Sequence, residues 1–203
     1  MKIGLYFGTF NPIHIGHLII ANYMAEYTDL KQVWFVVSPQ NPLKNKASLL
    51  KDYHRLAIVR IAIEDNPKLL ASDIEFHLPI PSYTTNTLAY VKEKYPNNEF
   101  LLIMGEDNLR SFHKWKNYEY ILENHKIYVY PRALTIQEEK EEDFSIENNL
   151  DFTNHENISL FDDVPVMKIS SSFIRNAIKN KRDVRYLLNE SVYQYIDEMN
   201  FYK

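Results

Sequence analysis

The sequence contains no cysteine. That absence excludes disulfides, thiolate metal sites and a cysteine nucleophile together, and it matches a reducing compartment such as the cytoplasm. Long apolar runs are also missing. No stretch approaches the roughly 18 apolar residues that a membrane-spanning helix needs. The segment Met1-Lys2-Ile3-Gly4-Leu5 carries one charged side chain and too short an apolar run for a secretory signal. A basic excess is lacking as well. Lysine and arginine number 23 against 27 aspartates and glutamates, a formal net charge of −4. The cations are scattered, whereas a protein that tracks a nucleic-acid backbone presents a basic face. The expectation is a cytoplasmic protein with neither membrane nor nucleic acid as a partner. Single anionic ligands remain open to it, because they need only a few local cations.

What is present points to one domain. A chain of 203 residues falls within the size of a single domain. Hydrophobic residues make up 45% of it, with 15 tyrosines and 11 phenylalanines, so aromatic packing carries much of the core. Short apolar runs alternate with helical spacing. Strands are expected over 2–7, 33–37, 70–76, 100–104, 127–130 and 158–161. Helices are expected over 17–26, 53–63, 85–94, 118–123, 171–180 and 184–199, with Thr84 or Thr85 capping the third. This order predicts an α/β fold: a doubly wound, Rossmann-like parallel sheet with helices on both faces and a small C-terminal helical region over 171–199. The stretch 137–151 contains Glu138-Glu139-Lys140-Glu141-Glu142-Asp143 and reads as an exposed acidic loop. No repeat and no long linker divides the chain.

Open parallel sheets bind ligands beyond the carboxyl ends of their strands. The polar residues fall there. The first strand is followed by Gly8-Thr9-Phe10-Asn11-Pro12-Ile13-His14-Ile15-Gly16-His17, the second by a stretch ending in Lys44, the fourth by Gly105-Glu106-Asp107 and the fifth by Pro131-Arg132. In the first segment, Gly8 lets backbone approach a ligand without a Cβ in the way. His14 and His17 are three apart at a helix start, so both can face one side. Helix N-terminal amides suit phosphate. A zinc site is a poorer fit, since it needs a third ligand and helical His pairs usually stand four apart. Ser171 and Ser172 open another helix, with Arg175 one turn on, an arrangement that can hold the same kind of anion. Taken alone, that second cluster is equally a serine cap followed by a surface arginine.

Gly8-Thr9-Phe10-Asn11-Pro12 followed by His14-x-Gly16-His17 resembles the signature of the nucleotidylyltransferase superfamily. Ile169-Ser170-Ser171-Ser172-Phe173-Ile174-Arg175 resembles its second ATP motif. Pro81-Ser82-Tyr83-Thr84 with Thr87-Leu88, Ile103-Met104-Gly105-Glu106-Asp107, and Trp115 are similar to the bacterial nicotinate-nucleotide adenylyltransferases. The resemblance runs from Lys2 to about Tyr202. Three positions depart from it: Phe7 where many relatives carry glycine, Asn11 where aspartate is frequent, and Leu43 where many have histidine.

The resemblance implies transfer of AMP from ATP to nicotinate mononucleotide, with pyrophosphate released and Mg²⁺ carried with ATP. It makes His14, His17 and Arg175 catalytic. It assigns ATP to Gly8, Thr9, Phe10, His14, His17, Lys44, Gly105, Asp107, Ser171, Ser172 and Arg175. The acceptor falls to Tyr83, Thr84, Asp107, Trp115, Lys44 and Arg132, with Trp115 against the pyridine ring and Asp107 on a ribose hydroxyl. Nicotinamide mononucleotide or phosphopantetheine as acceptor, and a non-catalytic nucleotide sensor, are the alternatives. Assembly into a homo-oligomer is left open.

Overall fold

The computed structural model describes residues 1–39, 49–131 and 152–203. The acidic stretch 137–151, Lys44 and Arg132 lie outside the described residues. Six parallel strands form one sheet: β1 Lys2–Gly8, β2 Gln32–Val37, β3 Leu69–Ser72, β4 Glu99–Gly105, β5 Ile127–Tyr130 and β6 Ile158–Leu160. Their order is β3-β2-β1-β4-β5-β6, every neighbouring pair parallel. The helices are α1 Ile15–Tyr27, α2 Asp52–Ala62, α3 Thr84–Lys94, α4 Glu106–Arg110, α5 Tyr118–Asn124, α6 Ser171–Lys179 and α7 Glu190–Glu198.

The central strands are apolar on both sides because both faces are covered. Side chains alternate between two cores. Tyr6, Phe35, Val37, Leu101, Ile103 and Tyr128 pack with Met24 of α1, Val59 of α2, Ile174 of α6 and Val192 of α7. Leu5, Trp34, Val36, Leu102, Met104 and Val129 pack with Leu88 of α3, Leu109 of α4 and Ile121 of α5. The expected doubly wound sheet is therefore present, and the winding reverses between β1 and β4. That reversal opens a crevice at the carboxyl ends of these two strands. No helix among the described residues is long and apolar enough to cross a membrane.

Two elements differ from the sequence expectation. The third strand ends at Ser72 rather than running to Phe76: the Asp73 carbonyl accepts from the Phe76 N–H at 2.9 Å, closing a 3₁₀ turn over Ile74–His77. The last expected helix is broken. A 3₁₀ turn covers Arg185–Leu187, Leu188 is extended, and the helix restarts where Asn189 Oδ1 accepts from the Ser191 N–H at 2.9 Å. Asparagine offers the backbone this alternative to continuing the helix.

Candidate active site

Phe10 directs the turn after β1. Its φ is 43°, in the left-handed region where a bulky side chain is uncommon. The ring is held by edge-to-face packing on Tyr6, Phe35 and His17, with centroids at 5.7, 5.3 and 5.2 Å. It lies across Gly8, where a Cβ would meet Phe10 Cζ at 2.7 Å. Only the backbone of Phe10 is therefore in a position to serve a ligand.

His14 caps α1 from an extended backbone, and His17 is its third residue. The two imidazoles stack with centroids 3.7 Å apart. The His14 main-chain N–H donates to His17 Nδ1 at 3.2 Å. A neutral His17 with Nδ1 accepting carries its proton on Nε2, which makes Nε2 the donor. His14 is buried, 5% exposed. At Gly16 a Cβ would meet Ile169 Cγ2 at 2.8 Å and His14 Nδ1 at 3.1 Å. Its absence lets the first histidine turn lie directly against the segment that leads into α6.

The second motif closes onto the first. Ser170, not Ser171, caps α6 by accepting from the Phe173 N–H at 3.2 Å. Ser171 Oγ donates to the Pro12 carbonyl at 2.8 Å. Arg175 donates from one terminal nitrogen to the Asn11 carbonyl at 2.8 Å and from the other to Ser172 Oγ at 3.1 Å. These bonds leave Arg175 with further N–H donors, because a guanidinium has five. Asn11 is 2% exposed. Its Oδ1 accepts from the Tyr202 hydroxyl at 2.8 Å and from the Leu50 N–H at 3.2 Å. Burial raises the Tyr202 phenol above its ordinary pKa despite the nearby cations Arg175 and Arg55. It therefore stays protonated and acts as the donor.

A second group gathers on the α3 side of the crevice. Tyr83 precedes Thr84 at the start of α3, and no side chain caps that end. The expected cap by Thr84 or Thr85 is not formed: Thr84 and Thr85 are the first two helical residues, so neither stands at the capping position. Uncapped first-turn amides are an anion site. The buried hydroxyl Thr85 Oγ1 has no hydrogen-bond partner there. Trp115 ends the 3₁₀ turn Phe112–Lys114 and packs edge-on against Phe112 at 5.5 Å. The next residue, Lys116, places its Nζ 4.4 Å from the Tyr83 ring centroid, which joins the two predicted acceptor segments. Gly105 caps α4, and Asp107 lies in its first turn. Asp107 Oδ1 lies 2.5 Å from where a Gly105 Cβ would be.

Two buried charged residues were not signalled by the sequence. Arg55, with 0% exposure, sits at a polar position of the α2 pattern. Nε donates to the Leu50 carbonyl at 3.1 Å. One terminal nitrogen reaches the Thr9 and Ser38 carbonyls at 2.6 and 2.8 Å, and the other reaches the Pro39 carbonyl at 3.3 Å and Asp52 Oδ1 at 2.6 Å. Glu75, in the 3₁₀ turn before α3, is 2% exposed and accepts from Thr87 Oγ1 at 2.8 Å. Neither position breaks a periodic pattern, so only the tertiary structure reveals them.

Comparison with known proteins identifies the family. The family described as cytidylyltransferase-like matches residues 5–177. A Flavobacterium psychrophilum protein named "Probable nicotinate-nucleotide adenylyltransferase" is 61% identical over 203 residues, the full length of both chains. A Flavobacterium johnsoniae protein of the same name is 58% identical, again over the full length of both. Among solved structures, the Plasmodium falciparum nicotinic acid mononucleotide adenylyltransferase complexed with NaAD superposes with a TM-score of 0.76. That match covers 99% of this chain and 97% of that one at 21% identity, and it supports the fold. The chain belongs to the cytidylyltransferase-like family and, by its full-length relatives, to the nicotinate-nucleotide adenylyltransferases within it.

Proposed function

We propose that the protein transfers AMP from ATP to nicotinate mononucleotide, giving deamido-NAD and pyrophosphate. One observation carries the reading: Ser171 and Arg175 are hydrogen-bonded to the Pro12 and Asn11 carbonyls, so the second motif stands on the turn that leads into His14 and His17. A cation and two imidazoles then share one strand edge, an arrangement suited to a triphosphate.

The acceptor 5′-phosphate oxygen attacks the α-phosphorus of ATP in line, and the bond to the β-phosphate oxygen breaks. That attacking phosphate is largely ionised at neutral pH, so no strong protein base is required. Catalysis is positioning together with charge stabilisation. His17, donating from Nε2, and His14 stabilise the charge that gathers on the transferring phosphoryl group. The spare donors of Arg175, with the hydroxyls of Ser171 and Ser172, hold the leaving pyrophosphate. Imidazole and guanidinium groups match phosphate oxygens rather than a hard cation. Mg²⁺ therefore arrives as part of the ATP substrate, bound by phosphate oxygens and water.

On the acceptor side, the open amides of α3 with the Thr85 hydroxyl favour a carboxylate on the pyridine ring over a neutral amide. Trp115 supplies a ring face, and Asp107 can accept from a ribose hydroxyl. Lys44 and Arg132 complete the proposed cations. The reading is tested with ATP labelled at the α-phosphorus. The label should move into a dinucleotide only when nicotinate mononucleotide is present, with one pyrophosphate per product. ATP binding without transfer to any acceptor would instead favour the sensor.

A further inference from the structure

We infer that Arg55 is a positioning residue for the ATP phosphates, acting through the peptide planes of the turn after β1. The inference rests on the proposed adenylyl transfer for the identity of the ligand.

All five guanidinium N–H groups are used, four on main-chain carbonyls and one on Asp52. The carbonyls belong to Thr9, after β1; to Ser38 and Pro39, after β2; and to Leu50, before α2. A single terminal nitrogen bridges Thr9 and Ser38, and the Ser38 N–H also donates to the Gly8 carbonyl at 2.9 Å. Two neighbouring strand ends are thereby fixed to each other at the crevice.

The consequence for a phosphate is electrostatic. A main-chain carbonyl facing a triphosphate would repel it. Arg55 holds the Thr9 carbonyl and Arg175 holds the Asn11 carbonyl, while Ser171 holds that of Pro12. In a trans peptide the C=O and N–H point in opposite directions. Fixing the Thr9 carbonyl on Arg55 therefore aims the Phe10 N–H the other way, and Phe10 can offer a ligand only its backbone. A guanidinium that served packing alone would not need four carbonyls drawn from the ends of two strands and the start of a helix. Lysine has three donors on one atom and cannot reproduce the fork.

The test is Arg55→Lys, with steady-state constants normalised to the folded fraction by circular dichroism, well below its Tm. A misplaced phosphate turn should raise the KM for ATP about tenfold and lower kcat about tenfold, with the acceptor KM within about twofold. A lowered Tm with wild-type constants per folded molecule would make Arg55 purely structural and overturn the inference. Should Arg55→Lys not fold, Asp52→Ala keeps the guanidinium and frees one arm of its fork. It should raise the ATP KM about two- to threefold and leave the acceptor KM unchanged. Equal shifts in both, or none, would overturn the inference. If the wild-type protein releases no pyrophosphate, the adenylyl-transfer reading fails. Calorimetric ATP affinity, expected to fall in the same variants and unchanged if Arg55 does not position phosphate, still decides the role of Arg55.

Discussion

Arg175 donates a 2.8 Å hydrogen bond to the main-chain carbonyl of Asn11, joining residues 164 positions apart. The bond sets where the guanidinium stands relative to the histidine turn, and it leaves donors for a ligand. Arg175→Lys keeps the charge but not the fork, so it cannot hold Asn11, Ser172 and a phosphate together. It should lower kcat/KM for ATP by about 10²-fold, measured by pyrophosphate release. Retention of most of the activity would show that charge alone suffices.

His17→Ala should cut turnover by two or more orders of magnitude, a loss of about 3 kcal/mol or more of transition-state stabilisation. The fold should survive, since the ring is only partly buried and Ile15 to Tyr27 remain helical without it. The checks are single-turnover kinetics and an unchanged circular dichroism spectrum. A variant that keeps most of its activity removes His17 from the mechanism.

Trp115→Ala should raise the KM of the acceptor about tenfold with kcat little changed, because stacking of a ring on an aromatic face contributes about 1–3 kcal/mol to binding. Saturation curves for both substrates check this. The ATP KM should not move. A fall in kcat with both KM values constant would mean that Trp115 only packs against Phe112.

Glu75 carries a pH signature. Burial holds its carboxyl above the ordinary glutamate value of 4.5, and the hydroxyls of Ser38, Thr87 and Ser82 offset this only in part. The folded state therefore binds this proton more tightly than the unfolded state. Stability from this group is fully present below 4.5 and is lost as pH rises from there through the folded value. Glu75→Gln removes the loss. The variant's Tm relative to wild type should be more favourable at neutral pH than near pH 4.5. A difference that does not change with pH would show that the carboxylate is not penalised.

The sequence and the structure agree where the signal is local. The strands are legible because both faces of the sheet are covered, which leaves runs such as Val33 to Val37 entirely apolar. His14 and His17 are legible because a single helix turn sets their relation. Ser171 and Arg175 are legible as a helix start with a cation one turn on, but their attachment to Pro12 and Asn11 is not, because no local pattern encodes a contact across the chain. Arg55 is the clearest loss. On the α2 pattern it is an ordinary polar residue, and only the convergence of the Thr9, Ser38, Pro39 and Leu50 carbonyls explains its burial. The broken C-terminal helix is a propensity effect: the apolar spacing continues past Leu188, while Asn189 captures the Ser191 N–H and restarts the helix.

The acceptor assignment meets its most direct test in one paired assay. Steady-state pyrophosphate release is measured with ATP, Mg²⁺ and either nicotinate or nicotinamide mononucleotide. The open amides of α3 predict a kcat/KM at least about tenfold higher for the nicotinate form, the worth of one charge-assisted contact. Equal or better turnover of nicotinamide mononucleotide would contradict a carboxylate at the start of α3.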